Sequence, residues 1–248
     1  MSISSGGGRL GNQFIRHLAA SIFAEKFNLY IEYVNAEPIE EILGMPLFVG
    51  TNKYNKTDKL SSNNYLHIYF RENIDFNVEV SDYLQSVHIT NLINEYLNTN
   101  LIMNRVMKNN KFNNRYKNNN DCFLHIRIGD VEQFNPGFEY YDNILSKLKF
   151  DDLYVATDSS KHKLIETLKN KYPNLKLYKE NIINTILFGS TCRYIVLSYG
   201  TFSSVIGYLS YYSTVYYVPY CEKYAWDWGK NCDTNTNKKT RIAYWIQG

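Results

Sequence analysis

Phe14, Leu18, Ile22 and Phe27 recur at intervals of four or five and make one apolar stripe, the mark of a helix packed against a core. Before it runs Gly6-Gly7-Gly8-Arg9-Leu10-Gly11, a loop by virtue of its glycines. After it the compact β-branched and aromatic run 29–34 predicts a strand. With residues 1–4 as a further short strand, the chain opens as a βαβ unit.

Residues 65–70 and 78–83 also read as strands, and 92–107 as a helix. The stretch 109–120, NNKFNNRYKNNN, is polar and low in complexity, which predicts a surface linker. Past it, strands are expected at 122–128, 152–156, 176–178, 194–198 and 215–219, with helices at 140–148, 161–171 and 203–212. Strands alternating with helices predict mostly parallel sheets covered on both faces. The expected architecture is α/β: two Rossmann-like domains, 1–120 and 121–248, facing a cleft.

Composition narrows the class. The 248 residues are 44% hydrophobic and 21% charged, as in a folded globular protein. The net charge of +3 comes without a basic block, which argues against a nucleic-acid partner. No apolar run approaches the ~20 residues of a membrane span, and no signal peptide opens the chain. The sequence therefore reads as cytoplasmic. Cys122, Cys192, Cys221 and Cys232 form no C-x-x-C or Cys/His cluster, so no metal site is expected. They read as reduced, with a Cys221–Cys232 disulfide the lesser alternative.

Four segments carry candidate chemistry. Gly6, Gly8 and Gly11 satisfy G-x-G-x-x-G, and Glu32 follows about twenty residues on, as in a dinucleotide site. A plain tight turn explains the same glycines. Asn12 and Gln13 add amides at the helix start. His125-Ile126-Arg127-Ile128-Gly129-Asp130 ends a strand, where ligands of parallel sheets gather. Alternation puts His125 and Arg127 on one face and Leu124, Ile126 and Ile128 on the other. Arginine's planar fork suits a phosphate, and an Arg127–Asp130 pair is the structural alternative. Ser198 to Ser204 joins a strand to a helix and either caps that helix or presents N–H groups and hydroxyls to a phosphate. Asp158, at another strand end, reads as a nucleoside contact or as a helix N-cap. Trp226 and Trp228 read as a core edge or as sugar-stacking rings.

In their order these segments resemble the α-1,2-fucosyltransferase family, within the wider group carrying an H-x-R-R-x-D motif. Gly8-Arg9-Leu10-Gly11-Asn12-Gln13-Phe14 is similar to the family's G-G-L-G-N-Q-x-F. Asp82-Tyr83-Leu84-Gln85-Ser86 is similar to G-Y-x-Q-S, and His125 to Val131 to H-V-R-R-G-D-Y. Tyr140-Tyr141 matches a Y-Y pair, Ala156-Thr157-Asp158-Ser159 an F-S-D-D, and Ser198 to Ser203 an S-x-S-T-F-S. Ile128 stands where the motif has its second arginine, and Gly200 where it has a serine.

The resemblance implies a GT-B enzyme that moves L-fucose from GDP-fucose to a glycan hydroxyl with inversion and without a metal or other cofactor. The absence of any D-x-D triad agrees with the last point. It implies donor contacts at Gly8, Gly11, Asn12, Gln13, His125, Arg127, Asp158, Thr201, Phe202, Ser203 and Ser204. Acceptor contacts would come from Tyr83 and Gln85 on the N-terminal, acceptor-side domain. The catalytic set would be Arg127 with a base drawn from Asp130, Glu132 and Glu139. Another nucleotide sugar on the same fold, an NAD(P)-linked oxidoreductase and a silent glycan-binding module are the alternatives.

Overall fold

A computed structural model describes residues 1–218 and 245–247. Cys221, Cys232, Trp226 and Trp228 lie outside the described residues. The chain divides into two compact units between Val106 and Met107.

The first unit holds β1 (Ser2–Ser4), α1 (Leu10–Phe27), β2 (Ile31–Tyr33), α2 (Glu37–Leu43), β3 (Thr57–Leu60), α3 (Tyr65–Tyr69), β4 (Asn77–Val80), α4 (Val87–Leu97) and most of α5 (Asn100–Asn109). Its strands form one parallel sheet in the order β2-β1-β4-β3. The predicted stripe of α1 is buried, with Phe14, Leu18, Ile22 and Phe27 all in the core. The helix is buried on its other sides too, Arg16 and His17 included.

Residues 65–70, expected as a strand, are helical. Ser61, Ser62 and Asn64 make a polar turn that starts α3, and the helix then stacks Tyr65 on Tyr69 at 5.8 Å, four residues apart. The Tyr65 hydroxyl donates to the Ala19 carbonyl at 2.8 Å. Tertiary packing outweighs the strand propensity of an aromatic run here. The helix expected over 92–107 is two helices, broken around Asn98, whose side chain turns back to the Asn94 carbonyl.

The second unit holds β5 (Cys122–Ile126), α6 (Phe138–Leu145), β6 (Leu153–Thr157), α7 (Lys163–Lys171), β7 (Leu175–Leu177), α8 (Ile182–Gly189), β8 (Tyr194–Leu197), α9 (Thr201–Tyr208), β9 (Thr214–Tyr217) and β10 (Trp245–Gln247). The sheet is parallel, in the order β10-β9-β8-β5-β6-β7. Alternation along β5 sends Cys122, Leu124 and Ile126, followed by Ile128, into one apolar cluster with α6 and α7. His125 faces the other way, toward Phe202 of α9 at 5.0 Å.

The asparagine-rich stretch lies at the surface, as expected, but is tied into the second unit by its own hydrogen bonds. Asn110 is buried and donates to the Leu187 carbonyl at 2.9 Å and to the Tyr116 hydroxyl at 3.1 Å. Asn119 donates to the Thr191 carbonyl, and Arg115 pairs with Asp121 at 2.6 Å. Amide side chains can satisfy both donors and acceptors of irregular backbone, so a polar composition here builds a fixed turn of the second unit.

Each sheet has a topological switch point. In the first, the chain leaves β1 toward β2 on one side and returns to β4 on the other. In the second, it leaves β5 toward β6 and β7 and returns to β8 on the opposite side. Loops diverge at such points and leave a crevice beyond the strands' carboxyl ends. Segments singled out from the sequence stand at both switch points.

Candidate functional site

In the first unit the glycine loop after β1 meets the segment after β4. Gly8 sits at φ +88°, and a Cβ there would come within 2.7 Å of the Tyr83 ring. Gln85 donates to the side-chain oxygen of Asn12 at 3.0 Å. Gln13 donates to the carbonyls of Gly6 and Gly8 at 2.8 and 2.7 Å. Gly11 lies inside α1, which begins at Leu10. Two motifs some seventy positions apart in sequence thus form one surface.

Arg16, which sequence reasoning missed, joins the two segments. Its guanidinium donates to the carbonyls of Ser5, Gly7 and Asp82 and lies 4.8 Å from the centre of the Tyr83 ring. The side chain is 1% exposed, and burial pulls its pKa below the ordinary value. Burial would raise the Asp82 carboxyl, but hydrogen bonds led by the Ser62 backbone hold it below its usual range. The available signal was a lone arginine inside an apolar helix.

Gly8→Ala tests this geometry. A side chain at that φ, pressed on Tyr83, is expected to cost about 1–3 kcal/mol, read as a lower melting temperature. An unchanged melting temperature would mean that the loop does not hold this conformation.

In the second unit the candidate residues gather beyond the carboxyl ends of β5, β6 and β8. The Arg127 backbone N–H donates to Ser198 Oγ at 3.0 Å, tying the end of β5 to the segment that leads into α9. Its guanidinium pairs with two carboxylates, Nη1 with Asp158 and Nη2 with Asp130. The side chain remains 21% exposed. Asp158 also accepts the Ile128 N–H at 3.0 Å. It is therefore not the cap of α7, whose N-cap is His162. Asn135, the second residue missed, donates to the Arg127 carbonyl at 2.9 Å and to the Tyr141 hydroxyl at 3.0 Å. The Tyr140 hydroxyl donates to the Leu197 carbonyl.

His125 settles its burial without an anion. Its Nδ1 lies 2.6 Å from Ser203 Oγ, and desolvation lowers its pKa to about 4, so the ring is neutral at pH 7. Ser203 also lies 3.3 Å from Ser198 Oγ. Gly200, at φ +118°, is the N-cap of α9 and brings no side-chain cap. Thr201 and Phe202 are half-buried in its first turn, and Ser204 is buried with its hydroxyl directed at the Gly200 carbonyl.

The remaining carboxylates lie apart in their partnerships. Glu132 is exposed and holds His162 Nε2 at 2.9 Å. Glu139 is exposed in the first turn of α6 and makes no hydrogen bond or ion pair among the described residues. Ile128, at the place of the motif's second arginine, is buried beside Ile126 and Tyr141. No group of metal-ligating side chains occurs among the described residues, and no helix among them is long and apolar enough to cross a membrane.

No family model and no curated protein sequence matches the chain. Among solved structures it is similar to fucosyltransferase NodZ from Bradyrhizobium, at a TM-score of 0.52 and 12% identity over 86% of this chain and 94% of that one. The selenomethionine form of the same enzyme matches at 0.51, covering 92% of its chain. NodZ α-1,6-fucosyltransferase co-crystallized with GDP matches at 0.51 and 12% identity over 86% of this chain and 93% of that one. At this identity the shared property is the fold: parallel α/β units of the kind found in fucosyltransferases.

Proposed function

We propose that the chain is a glycosyltransferase of GT-B type that transfers L-fucose from GDP-fucose to a glycan hydroxyl. The second unit would bind the donor and the first the acceptor. The observation that carries the reading is Arg127, a part-exposed guanidinium at the switch point of a parallel sheet, whose backbone N–H is tied to Ser198 in the segment leading into α9. Charge gathering on a leaving diphosphate needs fixed cations and N–H dipoles, and this corner offers both. The fold shared with an enzyme co-crystallized with GDP supports the choice of nucleotide.

In this reading Arg127 grips the β-phosphate, the N–H groups opening α9 assist, and Asp158 aims the arginine. In the first unit Asn12 and Gln13 shape the loop after β1, with Tyr83 and Gln85 contacting the acceptor. The acceptor oxygen attacks the anomeric carbon in line, the bond from that carbon to the diphosphate oxygen breaks, and its electrons leave with GDP. The configuration inverts. The hydroxyl proton passes to Glu139, the one of the three candidate bases with no ion pair among the described residues. No metal or cofactor enters the scheme. The oxidoreductase reading has less support, because the solved structures of similar fold are fucosyltransferases.

Two measurements test this. A thermal-shift panel of nucleotides and nucleotide sugars should show stabilisation by GDP and GDP-fucose but not by NADH, since only a ligand of the native state raises the melting temperature. Stabilisation by NADH alone would reverse the assignment. Glu139→Gln should lower kcat by about a hundredfold or more while leaving GDP affinity unchanged. Unimpaired turnover would move the base elsewhere.

A further inference from the structure

We propose that Asp130 is a displaceable counter-ion that sets how tightly the site takes a diphosphate. This rests on reading Arg127 as the diphosphate-binding group. The two carboxylates on its fork are not equivalent. Asp158 is anchored: one oxygen accepts the Ile128 N–H, and the other packs over Gly129, where a Cβ would come within 2.6 Å. It projects from the end of β6 and is 28% exposed. Asp130 lies three residues beyond Arg127, in the 3-10 turn Gly129–Phe134, and its side chain is 56% exposed. An ion pair that open to water contributes little, so it is the contact that yields.

Charge points the same way. One guanidinium between two carboxylates leaves the trio net negative, which opposes an arriving diphosphate. A terminal phosphate offers Arg127 a stronger, bidentate acceptor than a single exposed carboxylate does. As the phosphate takes the fork, Asp130 turns to solvent and Asp158 keeps the arginine aimed. Affinity is then the phosphate's grip less the cost of displacing Asp130. That cost falls only on a ligand whose second phosphate reaches the fork, so Asp130 weakens the binding of nucleoside diphosphates and leaves that of monophosphates unchanged.

Calorimetric titration of GDP and of GMP into the full chain tests the proposal, comparing wild type with Asp130→Asn, Asp130→Ser and Asp158→Asn. Both Asp130 variants should bind GDP about fivefold more tightly than wild type, with GMP unchanged. Asp158→Asn should bind GDP more weakly. If the Asp130 variants weaken GDP binding, the residue is structural and the proposal fails. An equal gain for GMP and GDP would also overturn it, because the effect would then be general charge rather than the fork. If wild type binds no GDP at all, the donor reading itself falls, an outcome distinct from either.

Discussion

Arg127→Ala should abolish measurable transfer, lowering kcat/KM by about three orders of magnitude, with the fold retained. Removing a single donor from a developing oxyanion costs about a hundredfold to a thousandfold, and a guanidinium supplies two parallel donors with a full charge. Stability should change little. The pairs to Asp130 and Asp158 are part-exposed, and pairs of that kind contribute roughly 0–1 kcal/mol each. The link from Asp158 to the Ile128 N–H does not involve the guanidinium and stays in place. Arg127→Lys should recover only a small part of the rate, because an ammonium keeps the charge and loses the planar fork. A well-folded Arg127→Ala variant with near-normal transfer would take Arg127 out of the mechanism.

Acid should destabilise the chain well above the range where carboxylates titrate. His17 and His125 are both buried, and desolvation lowers both from 6.5 to about 4. His17 is held between Ser4 Oγ at 2.7 Å and the Val34 carbonyl at 3.0 Å, and His125 beside Ser203. Between pH 6.5 and 4 the unfolded chain binds protons that the folded chain does not. Stability therefore rises with pH through that window, is complete above it, and is lost as pH falls toward 4. Each histidine accounts for up to about 3 kcal/mol over the window. The depressed carboxyls of Asp82, Asp142 and Asp152 act in the same direction at lower pH. Urea melts at pH 7.5 and 5 separate the two groups. His17 lies in the first unit and His125 in the second, so both should weaken. Equal stability at the two pH values would contradict the burial of these rings as neutral groups.

Much of the second unit was legible from sequence because β5 alternates cleanly. Leu124, Ile126 and Ile128 share a face, and that face is the core. The same alternation sent His125 and Arg127 to the other side. The pairing of Arg127 with Asp130 was also open to reading, being three residues apart. Its pairing with Asp158 was not, since only the adjacency of β5 and β6 brings position 158 to position 127. In the first unit, Tyr65 to Tyr69 misled because aromatic residues favour strands unless a neighbour, here the Ala19 carbonyl, holds them in a helix. α8 left no periodic trace because its consecutive residues 184–189 are all buried, polar and apolar alike, and β3 is a polar edge strand. Arg16 left its mark as a charge amid apolar positions. Its role emerged only when the loops after β1 and β4 came together.

The most direct test is turnover of GDP-fucose with a panel of glycan acceptors in the presence of a chelator, followed by NMR of the product. The account predicts GDP release matched one for one by fucosylated glycan, with the anomeric configuration inverted. Binding of GDP-fucose with no acceptor-dependent GDP release, across the panel, would contradict it and leave a sugar-binding module on a transferase fold.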